Sequence, residues 1–172
     1  MKKVNSEDPN YHWEFVNVKG KKVLDLGCGD FGNAGKLPYP TTLEYFLMKE
    51  AAFVLGVDAN STDLEAIGSL KDRYQNFNII ESTISSSDQI RDLIINNGIQ
   101  VLKSDIEGAE SYLFDLDNET FSLIEEYYIE THDDNLYNQC IIKLTNCGYN
   151  IYEQIALVQT GEVCKVIFAR KK

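Results

Sequence analysis

Residues 101–110 read VLKSDIEGAE, an apolar start followed by Lys103, Asp105, Glu107 and Glu110. A charge is costly to bury unless it is paired, hydrogen-bonded or facing water. The carboxylates are therefore expected where a strand opens onto a crevice. A second set, Glu130 and His132, lies in YIETHD (128–133). The ordinary pKa of histidine is close to neutrality, so His132 is the natural base to take a proton from a hydroxyl, with Asp105 and Glu130 beside it as further catalytic candidates. The same groups suit Mg²⁺ or another divalent cation, with Asp105 and Glu130 as the candidate ligands. Ion pairing with Lys103 accounts for the charge as economically. A third set is DLGCGDFG (25–32), which supplies Asp25, Gly27, Cys28, Gly29 and Gly32. Glycines after a strand let a ligand approach the backbone closely, ahead of a helix N-terminus. Asp58 ends the next strand-like run, where a carboxylate can accept both hydroxyls of a ribose.

These groups need a frame, and composition allows one. The chain has 172 residues, 44% of them hydrophobic, with ten Tyr and eight Phe, which suits one globular domain over residues 1–172. Its net charge of −11 argues against broad non-specific binding to nucleic acid or anionic membranes. No apolar run approaches the roughly 20 residues of a membrane span, and the first residues lack the apolar core of a signal peptide. The four cysteines show no CxxC or metal-finger spacing, so free thiols in a reducing cytoplasm are expected, with Cys28 structural.

Strand-like and helix-like segments alternate, the signature of a doubly wound α/β sheet. Strands are expected at 21–29, 52–60, 77–83, 99–105 and 126–133. Helices follow them, with Thr41 and Glu44, then Thr62 and Glu65, as capping boxes, and with Gly98 and Gly148 as stops. GAESYLFDL (108–116) reads as one helix, whose start Glu107 and Glu110 would cap and orient. YNIYEQIALV and EVCKVIFARK, joined by QTG, leave no room for a helix and read as an antiparallel hairpin. That gives seven strands. Residues 1–20, with His12 beside Trp13, read as a packing or lid segment.

The spacing Gly27-x-Gly29-x-x-Gly32 also fits a dinucleotide fingerprint, which would make the chain a nicotinamide-dependent oxidoreductase. Asp25 two residues before the first glycine, Asp58 at the second strand end and the terminal hairpin together resemble the class I S-adenosylmethionine-dependent methyltransferases. That resemblance implies a Rossmann-like, mostly parallel seven-stranded sheet and S-adenosylmethionine as cofactor. It places Asp25, Gly27, Cys28 and Gly29 at the amino-acid end of the cofactor, Asp58 with Ala59 at the ribose, and Ser82 and Thr83 near the adenine. LKSDIEGAE is similar to the K-x-D-x-E-G-A-E signature of the FkbM family, and YIETHD to its E-x-H segment. The first loop departs from the usual D-x-G-A-N-x-G. The FkbM resemblance implies O-methylation of a hydroxylated small molecule such as a sugar, with Lys103, Glu107 and Glu110 in substrate-binding or structural roles. A non-catalytic S-adenosylmethionine-binding module is the remaining alternative.

Overall fold

The structure is a computed structural model that describes residues 2–3, 17–29, 41–159 and 162–172. Its strands are β1 (Lys2–Lys3), β2 (Lys22–Leu26), β3 (Phe53–Asp58), β4 (Phe77–Glu81), β5 (Val101–Ser104), β6 (Glu126–Thr131), β7 (Tyr149–Gln159) and β8 (Glu162–Lys171). They form one sheet in the order β1-β7-β8-β6-β5-β2-β3-β4. β8 runs antiparallel to both neighbours, β6 and β7, and the remaining pairs are parallel. This is the doubly wound, mostly parallel sheet closed by an antiparallel pair that was expected. It carries one strand more than the seven, because Lys2 and Lys3 pair with Ile155 and Ala156 at the edge. Residues 4–16, with His12 and Trp13, lie outside the described residues, and so do Phe31 and Gly32.

The strands read as near-continuous apolar runs because both faces of the sheet are covered. Alternation sends Leu24, Leu26, Leu55, Leu102 and Ile129 to one face. There they meet Ile90 and Ile94 of α3 (Ser87–Asn97), Leu113 of α4 (Glu110–Phe114), and Leu136, Cys140 and Leu144 of α6 (Asp134–Asn146). Val23, Val54, Val101 and Phe168 go to the other, against Leu43 and Phe46 of α1 (Thr42–Met48) and Leu64 and Ile67 of α2 (Ser61–Gly68). Each fully buried Leu or Ile contributes about 2 kcal/mol.

The capping signals explain most helix limits. Thr41 Oγ1 accepts the Glu44 amide at 3.1 Å, and the Glu44 carboxylate, 1% exposed, meets Arg73 Nη2 at 2.6 Å. Gly98 (φ 61°) and Gly148 (φ 79°) take the left-handed conformation that ends α3 and α6. α2 begins at Ser61, which puts Thr62 inside its first turn rather than at its cap. The single helix expected at 108–116 is shorter. Asp117 accepts the Thr120 amide at 2.8 Å and thereby starts a separate turn, α5 (Asn118–Phe121).

Strands β2 to β6 run parallel, so their carboxyl ends share one edge of the sheet. From β2 the chain proceeds outward through β3 and β4, then crosses back to β5 on the other side of β2. That makes the β2/β5 boundary the switch point, where ligand crevices form in such sheets.

Candidate active site

A cleft of about 240 Å³ opens at the switch point. It is lined by Gly27, Val57, Asp58, Ala59, Ser82, Thr83, Ile84, Asp105, Ile106, Glu107 and Ala109. Gly27, Asp58, Ala59, Ser82, Thr83, Asp105 and Glu107 were singled out from the sequence. Ala109 is the alanine of the K-x-D-x-E-G-A-E match, whereas Val57, Ile84 and Ile106 were not singled out. Their only signal is position, since each flanks a named residue at a strand end.

Gly27 has φ 71°, and a Cβ there would sit 1.7 Å from the Asp105 carbonyl oxygen. The absence of a side chain thus serves the close crossing of the loops after β2 and β5. The Gly27 and Cys28 amides both donate to Val57 O, at 2.9 and 3.3 Å. Gly29, half-buried, is the first loop residue whose amide has no partner among the described residues. Across the cleft, Asp58 Oδ1 accepts the Asn60 amide at 2.8 Å, leaving Oδ2 without a partner among the described residues. The Ser82 amide donates to Asp58 O at 2.8 Å, and Gln89 Nε2 donates to Ser82 Oγ at 2.7 Å.

Asp25 and Cys28, expected at the amino-acid end of the cofactor, are buried and are not among the residues that line the cleft. Asp25 is fully buried on the α1 face, because strand alternation places it beside Val23 and the β2–β5 register sets it opposite Lys103. Its Oδ1 lies 3.1 Å from Lys103 Nζ, and its Oδ2 accepts from Thr42 Oγ1 at 2.6 Å. Cys28 is also fully buried, its Sγ so close over Gly56 that a Cβ there would come within 2.8 Å. Burial, reinforced by the Asp25 charge, pushes its thiol well above the ordinary value, which is the condition of an inert structural cysteine. Cys28, Cys140 and Cys147 are free thiols.

Lys103 pairs with Asp25 rather than with Glu107 or Glu110, and its next carboxylate is Asp105 at 3.9 Å. Its Nζ also donates to Gly27 O at 2.6 Å and Leu26 O at 3.3 Å. Burial disfavours the ammonium, but the Asp25 and Asp105 charges outweigh it and hold the pKa above the usual lysine value. Burial also raises the Asp25 carboxyl against the lowering pull of Lys103 and Thr42. The ammonium is the firmer half of the pair, since it has two carbonyl acceptors besides Asp25.

Beside Asp105, the structure brings Glu110, Glu130 and His132 together. Glu110 is fully buried; its Oε1 meets His132 Nδ1 at 2.7 Å and its Oε2 accepts the Gly108 amide at 2.8 Å. His132 Nε2 lies 3.5 Å from Asp105 Oδ1 and 4.0 Å from Glu130 Oε1. The hydrogen bond that Nδ1 donates to Glu110 overrides desolvation and, with the charges of Glu110, Asp105 and Glu130, pushes His132 up to about 9. The Glu110 contact and the surrounding carboxylates therefore favour the charged, proton-donating form of the ring over the neutral base its residue type suggested. One ligand atom each from Asp105, Glu130 and His132 lies within 4.8 Å of the others, a spacing a divalent cation can span, but its binding there would have to displace the His132 proton. Neither Glu107 nor Glu110 caps α4, whose N-cap position, Ala109, makes no side-chain cap bond. Glu107 is exposed and sits at φ 32°, in the left-handed region.

No helix of the described residues is long and apolar enough to cross a membrane. The sequence matches no protein-family model and, at a significant level, no curated protein. Solved structures do match. The chain is similar to an rRNA methylase from Streptococcus thermophilus, with 16% identity and a TM-score of 0.61 over 90% of this chain and 89% of that one. It is similar to magnesium protoporphyrin IX methyltransferase from Synechocystis with bound S-adenosylmethionine, with 14% identity and a TM-score of 0.56 over 91% and 72%. It is also similar to Aeropyrum pernix fibrillarin with natively bound S-adenosylmethionine, with 15% identity and a TM-score of 0.56 over 88% and 66%. These likenesses show that the chain has the fold of class I S-adenosylmethionine-dependent methyltransferases.

Proposed function

We propose that the protein is an S-adenosylmethionine-dependent methyltransferase acting on an oxygen of a small hydroxylated molecule. The observation that carries this reading is the cleft at the switch point, with the open Oδ2 of Asp58 on one side and the Asp105 carboxylate on the other. At about 240 Å³ it suits the nucleoside end of the cofactor rather than the whole of it. Asp58 accepts the ribose hydroxyls, while Val57, Ala59, Ile84 and Ile106 offer apolar contact to the adenine beside Ser82 and Thr83. The Gly29 amide serves the amino-acid end.

Bound there, the cofactor supplies a methyl group on a sulfonium, whose transfer leaves a neutral thioether. The chain must align the acceptor and remove its hydroxyl proton. Asp105, which lines the cleft, takes that proton. Glu130 and the His132 imidazolium set the field around it, with Nε2 3.5 Å from Asp105 Oδ1 and 4.0 Å from Glu130 Oε1. The reading assigns no role to a divalent cation.

The small acceptor is supported by the resemblance of Lys103–Glu110 to the FkbM signature. The charge of −11 disfavours a polyanion such as RNA. Thermal shift tests the cofactor. S-adenosylhomocysteine at a hundred times its Kd stabilises by about 2.7 kcal/mol and raises the melting temperature, whereas NAD leaves it unchanged. A rise with NAD alone overturns the reading. A screen of hydroxylated small molecules for methylated products by mass spectrometry then tests the chemistry, and cofactor binding without turnover would favour a non-catalytic module.

A further inference from the structure

We propose that Lys103 is a positioning residue for the cofactor cleft, holding its wall from behind. Two lining residues from the loops after different strands, Gly27 after β2 and Asp105 after β5, depend on the one ammonium group. Lys103 is 4% exposed and does not reach the cleft. Its Nζ donates to Gly27 O at 2.6 Å, lies 3.9 Å from Asp105 Oδ2, and pairs at 3.1 Å with Asp25, which in turn accepts from Thr42 at the start of α1. Gly27 is thereby fixed from both sides, its amide on Val57 O and its carbonyl on Lys103, in the left-handed turn that lets it pass under Asp105.

Charge compensation for Asp25 does not explain this arrangement. A buried ion pair is often no more stable than apolar residues of the same volume. A counterion alone also has no need to aim at the carbonyls of Leu26 and Gly27. The register that places Lys103 opposite Asp25 also puts Nζ under the turn, so the K-x-D spacing ties the glycine loop to Asp105, two residues along the same face. The identity of the ligand rests on the methyltransferase reading; the positioning of the wall does not.

Native-state amide exchange of the wild-type protein, compared with the double variant D25N/K103M, tests the proposal. That variant removes both buried charges and keeps an acceptor for Thr42. In the wild type, the Gly27 amide is expected to exchange within about tenfold of Leu24 in the centre of β2. Exchange there more than about a hundredfold faster than at Leu24 overturns the proposal without any variant, and so covers the case in which the variant does not fold. In the folded variant, Gly27 is expected to exchange at least about tenfold faster relative to Leu24, and S-adenosylhomocysteine to bind about tenfold more weakly by calorimetry. A variant with wild-type exchange ratio and wild-type affinity would show Lys103 to be only a counterion. If neither form binds S-adenosylhomocysteine, the cofactor reading fails and the exchange ratio still decides the role of Lys103.

Discussion

Glu110 and His132, 22 residues apart in sequence, meet at 2.7 Å between Oε1 and Nδ1, and that contact turns Nε2 of the ring toward Asp105 and Glu130. The histidine is therefore surrounded by carboxylates, and its charge is part of the fold.

Stability should follow that charge. The folded pKa of about 9 lies above the ordinary 6.5, so the contribution is fully present below pH 6.5 and is lost as pH rises through 9. Its size is at most about 3 kcal/mol. Urea unfolding from pH 6 to 10 should show the wild-type midpoint falling across this window and a flatter profile for Glu110→Gln. NMR titration of the ring gives the direct check; a wild-type value near 6.5 would sink the account.

The roles within the cluster separate by kinetics. Asp105→Asn should lower turnover by about a hundredfold or more, the usual contribution of a general base, while S-adenosylhomocysteine affinity changes only a few-fold. His132→Gln should cost less, since an imidazolium is not the proton acceptor. The opposite order, with His132→Gln abolishing turnover and Asp105→Asn sparing it, would return the base to the histidine.

Gly27→Ala should be among the most damaging single changes in the chain. The added Cβ would lie 1.7 Å from a backbone oxygen that cannot swing away, in a backbone conformation alanine disfavours. A loss of more than about 3 kcal/mol is expected in chemical denaturation. Wild-type stability in this variant would mean that the loops after β2 and β5 do not cross so closely.

The frame of the site was legible because β3, β4, β5 and β6 end in polar residues, β2 runs into Gly27, and α1, α3 and α6 carry a cap or a stop. Thr41, Gly98 and Gly148 could be placed from neighbours within four positions. The burial of Asp25 could not be read from near neighbours in the same way. Whether a residue at the end of β2 faces the cleft or the underside of α1 depends on strand parity and on the β2–β5 register, which pairs Asp25 with Lys103, far along the chain. The state of His132 was hidden likewise. Its residue type suggests neutrality, and only the fold delivers Glu110 to its Nδ1.

Asp58 offers a cleaner affinity test than the loop glycines. It is half-buried, and the one described partner of its carboxylate is the Asn60 amide, so Asp58→Ala should cost only about 1 kcal/mol of stability. If its carboxylate holds the ribose, S-adenosylhomocysteine affinity should fall by about 10- to 100-fold in calorimetry, the worth of charge-assisted hydrogen bonds. Unchanged affinity would move the ribose elsewhere in the cleft.

Glu107 should respond in the other direction. It is exposed, its carboxylate has no hydrogen-bond or ion-pair partner among the described residues, and its φ of 32° is unfavourable for any residue with a Cβ. Glu107→Gly removes that strain at no cost in contacts, although glycine also gains freedom in the unfolded chain. With strain of about 1–3 kcal/mol and an opposing entropy cost of about 1 kcal/mol, the net change should be stabilising by up to about 2 kcal/mol. Glu107→Ala keeps the Cβ and should bring no such gain. Paired urea denaturation of the two variants distinguishes them: glycine should exceed alanine in stability. If alanine is the more stable, the backbone at Glu107 is not strained, and its position on the cleft rim reflects ordinary loop geometry.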